Sequence, residues 1–197
     1  MEWFRHDGDP FDNGEIVSVI EVAWSPRGAQ IAIFCFSEKI GDNAGNYWYL
    51  CIVDATRGKL EHKVGLTGEN SHVVFDNEAT YKYPRSGHLV WNHCGTKLAA
   101  SCILNLYIVD AKTGVIEHQV PKEIQETGII AWNSAGTKLA HTSSKDTLIV
   151  NVASGSVDYE FAHAYLPTSP GVAAWSPSGT KLAAALALDL TVGAGVS

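Results

Sequence analysis

The most constraining feature of this sequence is a nine-residue pattern that returns along the chain. The pattern Trp-x-x-x-Gly-Thr-Lys-Leu-Ala occupies residues 91–99, 132–140 and 175–183, and a looser copy, WSPRGAQIA, occupies residues 24–32. The later tryptophans are spaced 41 and 43 residues apart, whereas 67 residues separate the first two. A repeat of about 40 residues predicts an array of similar units, each with an apolar face that only its neighbours cover.

A second recurring pair shows where the first unit carries extra chain. An Asp or Asn followed four residues later by Gly occurs as Asp54/Gly58, Asp110/Gly114 and Asn151/Gly155. The distance from the tryptophan to this pair is 30 residues in the first unit and 19 residues in the next two. The comparison predicts one insertion around residues 37–47. From the Gly to the next Trp the distances are 33, 18 and 20 residues, which predicts a second insertion around residues 65–87.

Within a unit the apolar runs are short, rich in Val and Ile, and bounded by turn residues, which is typical of β-strands. In the second unit the predicted strands are residues 88–91, 97–102, 106–110 and 115–120. The connections are short and contain Gly, which accepts the positive φ of a type I turn with a bulge. Consecutive strands joined in this way form an antiparallel meander.

The third strands read Cys-Ile-Val-Asp, Tyr-Ile-Val-Asp and Leu-Ile-Val-Asn, so both faces of each sheet are apolar and must be covered. Radial packing of such sheets gives an all-β fold, a β-propeller, whereas a sandwich would leave one polar face. We predict a single domain, residues 1–197, with about four four-stranded blades at residues 15–64, 88–120, 129–161 and 172–192. The last blade lacks its fourth strand. Either an N-terminal strand at residues 2–6 closes it, or the chain is a piece of a larger propeller or half of a ring completed by a second copy.

Three sequence elements in a fixed order resemble the WD-repeat β-propeller family over about residues 22–192. They are V-x-W-S-P-x-G-x-x-L-A, a turn with Asp or Asn, and L-x-I-V-D-x-x-T-G. The Trp-Asp dipeptide of that family is replaced by Val-Asp or Val-Asn in this chain. The resemblance implies a scaffold or adaptor that mediates protein–protein interaction. The segments Ile-Val-Asp-Ala-Lys-Thr-Gly and Trp-Ser-Pro-Ser-Gly also resemble TolB-type periplasmic propellers, which is an alternative interpretation.

The residues that recur in every unit are predicted to be structural rather than catalytic. They are Trp24, Trp91, Trp132, Trp175, Asp54, Asp110, Asn151, Gly58, Gly114 and Gly155. Ser178 and Lys181 match the Ser-x-x-Lys arrangement in which lysine activates a serine nucleophile. The same position holds Cys94 and Ala135 in other units, so the lysine belongs to the hairpin, and we predict no enzyme activity. The alternative is a propeller enzyme or the substrate-gating domain of a larger hydrolase.

The formal charge of −7, without a cluster of Lys and Arg, opposes binding to nucleic acid or to an anionic membrane. The first residues are too polar for the apolar core of a signal peptide. The four cysteines, Cys35, Cys51, Cys94 and Cys102, are predicted to be reduced core thiols of a cytoplasmic, intracellular protein. No His or Cys pair has the spacing of a zinc site, so no metal and no cofactor are expected.

The two insertions mark where the copies differ, and the meander places both on one rim of the propeller. Loops on a rigid scaffold tend to collect binding residues, and Tyr, Trp and Arg anchor interfaces well. The predicted protein- or peptide-binding residues are Lys39, Asp42, Asn43, Tyr47, Trp48, Phe75, Tyr81, Tyr83 and Arg85. The alternative is a pair of solvated loops without function. A further predicted partner is a second copy of the chain, bound through the incomplete blade.

Overall fold

The computed structural model describes residues 15–39, 45–66, 87–102, 105–121, 128–143, 145–162, 172–186 and 189–193. The chain divides into two compact units, Met1–Ser86 and Gly87–Ser197, and each is described by itself. All regular structure in the described ranges is β-strand. None of these ranges contains a helix with the length and apolarity needed to cross a membrane. The predicted closing strand, residues 2–6, lies outside the described residues.

The first unit contains one antiparallel sheet, blade 1, in which each strand pairs with its neighbour in the sequence. Its strands are β1 (Glu15–Trp24), β2 (Gln30–Lys39), β3 (Gly45–Asp54) and β4 (Lys59–Gly65). A register shift between Val19 and Glu21 interrupts the pairing of β1 with β2.

The second unit contains three further sheets, each with the same meander order. Blade 2 consists of β5 (His88–Trp91), β6 (Lys97–Ser101), β7 (Asn105–Asp110) and β8 (Ile116–Pro121). Blade 3 consists of β9 (Ile129–Trp132), β10 (Lys138–Thr142), β11 (Asp146–Asn151) and β12 (Val157–Ala162). Blade 4 has three strands in the described residues, β13 (Val172–Trp175), β14 (Leu182–Leu186) and β15 (Asp189–Gly193). The four strands predicted for the second repeat match blade 2 to within one residue at each end.

Each repeated tryptophan is the last residue of the first strand of its blade, and a polar residue follows it. Asn92 Oδ1 accepts hydrogen bonds from the amides of Thr96 and Lys97, at 2.9 and 3.1 Å. Asn133 makes the same two bonds in blade 3, and serine hydroxyls take this place in blades 1 and 4. This role was not among the predictions, although a polar residue follows every repeated Trp in the sequence.

The turn between the third and fourth strands also repeats in detail. Asp54 Oδ1 accepts hydrogen bonds from the amides of Thr56 and Arg57, at 2.8 and 2.9 Å. Asp110 and Asn151 cap the equivalent turns of blades 2 and 3 in the same way. The glycine four residues later has a positive φ each time, 63° at Gly58, 69° at Gly114 and 70° at Gly155. A bulge follows in the fourth strand of each of these blades, where Glu61, Glu117 and Asp158 are the extra residues.

Neighbouring blades of the second unit pack through opposite faces of their sheets. Leu139, Trp132 and Ile130 of blade 3 pack with Val90 and Ala99 of blade 2 in one apolar cluster. Trp175 and Leu182 of blade 4 pack in the same manner on Ala140 and Ile149 of blade 3. We call the face that carries the tryptophan the leading face, and the opposite one the trailing face. The leading face of blade 3 thus covers the trailing face of blade 2, and the leading face of blade 4 covers the trailing face of blade 3.

Hydrogen bonds cross these two contacts at equivalent places. The indole Nε1 of Trp132 donates to the carbonyl of Val90 at 3.2 Å, and that of Trp175 donates to the carbonyl of Ala131 at 2.9 Å. The acceptor is therefore the residue just before the tryptophan of the preceding blade. Between blades 2 and 3, the buried His141 also pairs through Nε2 with Ser101 Oγ at 3.0 Å.

Candidate protein-binding surface

The first predicted insertion extends a hairpin rather than forming an irregular loop. β2 and β3 have 10 residues each, whereas the equivalent β6 and β7 have 5 and 6. Their pairing continues to Lys39 opposite Gly45. At about 3.3 Å per residue, the added pairs lengthen this hairpin by about 15 Å. The expected loop around residues 37–47 is thus wrong in form, because apolar residues continue to alternate along both strands.

Only part of the predicted binding set falls within the described residues. Lys39 ends β2, and Tyr47 and Trp48 lie near the start of β3. The remaining six, Asp42, Asn43, Phe75, Tyr81, Tyr83 and Arg85, lie outside the described residues. Their role in binding stays a prediction.

Trp48 is a packing residue of blade 1. Its side chain is 6% exposed, and its ring centroid lies 5.0 Å from the centroids of both Phe34 and Phe36. All three residues lie on the trailing face of blade 1, since Phe36 and Trp48 are paired across β2 and β3. A partner cannot reach the indole without opening this cluster, so the contribution of Trp48 to binding would be support for the hairpin.

Tyr47 belongs to an aromatic patch on the leading face of blade 1. Its ring is stacked with the ring of Tyr49, and the two ring centroids lie 6.2 Å apart. The ammonium of Lys63, on β4, lies 4.3 Å from the centroid of the Tyr49 ring. All three side chains are half-buried. Tyr49 and Lys63 were not in the predicted binding set, although the alternation along β3 places Tyr49 on the same face as Tyr47.

A pair of thiols lies beside this patch. Cys35 of β2 and Cys51 of β3 are buried and share a hydrogen bond. That bond, together with burial, raises the pKa of Cys35, so this thiol stays protonated and is a poor nucleophile. All four cysteines are free, and three are buried. Cys94 is exposed in a turn, so its prediction as a core thiol was wrong.

The capping aspartates are held in their ionised form. Hydrogen bonds from the hydroxyl and amide of Thr113 lower the pKa of Asp110, and those from the amides of Arg57 and Thr56 lower the pKa of Asp54. A general base works best with a pKa near the operating pH, so a lowered value suits a cap better than catalysis.

The lysines of the Gly-Thr-Lys segments also have structural partners in two blades. Lys97 pairs with Glu117 of β8, and Lys138 lies 3.8 Å from Asp158 of β12. In blade 1 the equivalent Gln30 donates to Glu61. In blades 1 to 3, the first residue of the second strand is thus tied to the fourth strand of the same blade.

Histidines in the described residues pack rather than cluster. His62 and His118, on the fourth strands of blades 1 and 2, are both half-buried. His118 lies against the turn of blade 3, where a Cβ added to Gly155 would be 2.5 Å from its Nδ1. No group of three or more His, Cys, Asp or Glu side chains in the described ranges is placed to hold a metal ion.

The acid dependence of the caps gives a first prediction. Asp110→Ala is expected to lower the free energy of unfolding by about 1 kcal/mol, because the amides of residues 112 and 113 lose their acceptor. Asp110→Asn is expected to be nearly neutral at pH 7, since Asn151 caps the equivalent turn. Urea unfolding followed by tryptophan fluorescence measures both changes.

The same variants test the sign of the pH effect. The pKa of Asp110 is lower in the folded chain than the unfolded value of about 3.9. The ionised cap therefore adds stability above that value and loses it as the pH falls through the folded pKa. Asp110→Asn should lose less stability than the unaltered chain between pH 5 and pH 3, about the range of carboxyl titration. An unchanged acid profile would contradict this assignment.

Comparison with known proteins gives the fold. No protein-family model matches the sequence, and no curated protein matches it significantly. A chain in the crystal structure of the Mitotic Checkpoint Complex is similar to this chain, with a TM-score of 0.58 and 17% identity over 88% of this chain and 45% of that one. The β-propeller domain of Cps50 (Swd1) from Myceliophteria thermophila gives a TM-score of 0.54 and 15% identity, over 88% of this chain and 51% of that one. The predicted β-propeller fold is confirmed, and the chain spans about half the length of these two solved chains.

Proposed function

We propose that this β-propeller chain is a non-catalytic, WD-repeat-like scaffold or adaptor that binds a protein or peptide through the rim formed by its two insertions. The partner is a protein rather than nucleic acid or a membrane, because the chain is acidic and its cations are dispersed. The partner contacts are the predicted set other than Trp48, which supports the hairpin from within, with Tyr49 and Lys63 added.

The observation that carries this proposal is the lengthened β2–β3 hairpin with its Tyr47–Tyr49–Lys63 patch. Tyrosine combines a large contact area with a polar hydroxyl, which suits it to anchor an interface. The Lys63 ammonium over the Tyr49 ring holds a positive charge beside the two rings. Such a patch favours a peptide that offers apolar or aromatic groups next to a carboxylate.

One similar solved chain supports a protein partner, since its crystal structure is that of the Mitotic Checkpoint Complex. We also propose that the protein is cytoplasmic. Support for this location comes from Cys35, Cys51 and Cys102, which are buried as free thiols, as is usual in a reducing compartment. Fractionation of expressing cells tests the location, and recovery from an oxidising compartment would contradict it.

A capture experiment tests the binding function. Residues 39–46 and 78–85 are replaced by Gly-Ser linkers of equal length, and the tagged chain is used to recover partners from cell extract. We expect the set of captured proteins to lose at least one member that the unaltered chain retains. Tyr49→Ala with Lys63→Ala should weaken binding of that member about 5- to 30-fold, as for a central anchor worth about 1–2 kcal/mol.

The matched control uses the opposite end of the same strand. Thr56→Gly with Arg57→Ser alters the exposed turn between β3 and β4 and is expected to leave capture unchanged. If the replaced loops and the control capture the same proteins as the unaltered chain, the rim is not the binding surface. A loss shared by both variants would also contradict the proposal, because it would reflect blade 1 as a whole.

A further inference from the structure

Blade contacts in the second unit follow one rule. A leading-face tryptophan donates its indole N–H to the carbonyl of the residue just before the preceding tryptophan, as Trp132 does to Val90 and Trp175 to Ala131. Beside each acceptor, the paired residue on the second strand is an alanine, Ala99 in blade 2 and Ala140 in blade 3. These small side chains leave room for the indole ring.

Blade 1 offers a leading face without such a cover. Trp24 is 61% exposed and Val22 is 53% exposed, whereas the equivalent Leu89 and Trp91 of blade 2 are buried. Trp24 pairs with Ile31 across β1 and β2, so its position in the sheet matches that of the other three tryptophans. Within the described residues no acceptor receives a hydrogen bond from its indole Nε1.

Blade 4 offers the complementary trailing face. Val172 is 56% exposed, and Ala174 and Ala183, which are paired across β13 and β14, are exposed as well. The residues equivalent to Ala183 in blades 2 and 3 are Ala99 and Ala140, and both are fully buried under the next blade. Ala174 is the residue just before Trp175, so its carbonyl is the acceptor that the rule specifies for a following blade.

We propose that two copies of this chain associate head to tail, with the leading face of blade 1 of one copy on the trailing face of blade 4 of the other. Trp24 Nε1 donates to the carbonyl of Ala174 in the second copy, and the Trp24 ring lies over Ala174 and Ala183. Each copy offers one face of each kind, so two copies can make the contact twice, and we place the closure of this head-to-tail ring at two copies.

A second copy fits these faces better than an unrelated partner does. The trailing face presents alanine at both places where Ala131 and Ala140 receive Trp175, so this chain already carries the surface that accepts its own leading tryptophan. The side chains at this contact, Trp24 and Val22 of blade 1 with Ala174 and Ala183 of blade 4, are all uncharged.

Light scattering on the purified 197-residue chain tests the proposal. We expect a mass of twice 21.2 kDa, falling toward that of one chain on dilution. Trp24→Glu and Ala183→Glu each place a charge on one face and are each expected to give the mass of a single chain. Val115→Glu is the control, because Val115 is 57% exposed on the turn of blade 2 and lies on neither face. This variant should keep the doubled mass.

Mixing the two variants separates head-to-tail from other pairings. An equal mixture restores one intact contact, between Trp24 of the Ala183→Glu copy and blade 4 of the Trp24→Glu copy, and is expected to recover the doubled mass. Recovery also shows that both variants fold. Should circular dichroism show that Trp24→Glu loses strand content, Val22→Glu replaces it in the same mixture.

Several outcomes would overturn the proposal: a single-chain mass for the unaltered protein at every concentration, growth beyond two copies, or an Ala183→Glu variant that still pairs alone. Failure of two folded variants to recover on mixing would do so too. The chain with replaced rim loops should keep the doubled mass while losing its captured partner, so this inference and the proposed function fail separately.

Discussion

Replacing Gly155 by alanine is expected to lower the free energy of unfolding by about 3 kcal/mol. Two costs add up at this turn. Its φ of 70° is unfavourable for an L-residue by about 1–2 kcal/mol. The new Cβ would also lie 2.5 Å from Nδ1 and 2.9 Å from Cβ of His118, so blade 2 or the turn must shift, at a cost of about 1–3 kcal/mol.

Gly28 provides the matched control for this substitution. Its φ is 69°, but a Cβ placed there would meet no atom within 4 Å. Gly28→Ala should therefore cost only the backbone term, about 1 kcal/mol. Urea unfolding of both variants, and of Gly155→Ala in a His118→Ala background, isolates the contact. Equal costs for the two glycines, or no relief from His118→Ala, would show that the turn of blade 3 does not press on blade 2.

The second large effect is expected at the contact between blades 2 and 3. Leu139 is fully buried in the cluster that joins these blades. Leu139→Ala should lower the free energy of unfolding by about 2–5 kcal/mol, through lost apolar burial and the cavity left behind. Val115→Ala, at an exposed turn, should change it by about 0.5 kcal/mol or less.

Urea unfolding read by tryptophan fluorescence checks this pair, since Trp132 lies in the same cluster as Leu139. A cost for Leu139→Ala near that of Val115→Ala would mean that the contact between the blades is not closely packed. The result bears on function as well, because a binding rim needs a rigid support.

The repeat was sufficient to predict the fold class and most strands. A tryptophan at the end of each first strand and a turn glycine with positive φ are local requirements, so the sequence shows them directly. The residues 88–91 were placed without error because turn residues bound them on the C-terminal side and alternation defines the strand.

Tertiary contacts account for what the sequence analysis missed. The insertion at residues 37–47 was assigned to a loop because its length broke the repeat, but alternating apolar residues continue through Phe36 and Trp48 and extend the strands. His118 resembled an exposed residue of an outer strand, and only the position of Gly155 in the next blade shows that it is covered.

The exposure of Trp24 was hidden for a related reason. Its local sequence matches that of Trp91, Trp132 and Trp175, and its strand position is the same. Burial of the indole depends on whether the trailing face of another blade covers it. The residues around Trp24 in the sequence do not determine this. Tyr49 and Lys63 of the aromatic patch lie on different strands, β3 and β4. Only the register between these two strands brings their side chains together.

The meander order of every sheet bears on how the chain reaches its native state. Each described strand hydrogen-bonds only to strands adjacent to it along the polypeptide, so ladder formation requires the closure of short loops alone. Topologies rich in such local pairings fold faster than those in which distant segments must meet first. During synthesis, a hairpin can form its hydrogen bonds soon after it leaves the ribosome. This shortens the time during which an unpaired strand edge is exposed and able to aggregate.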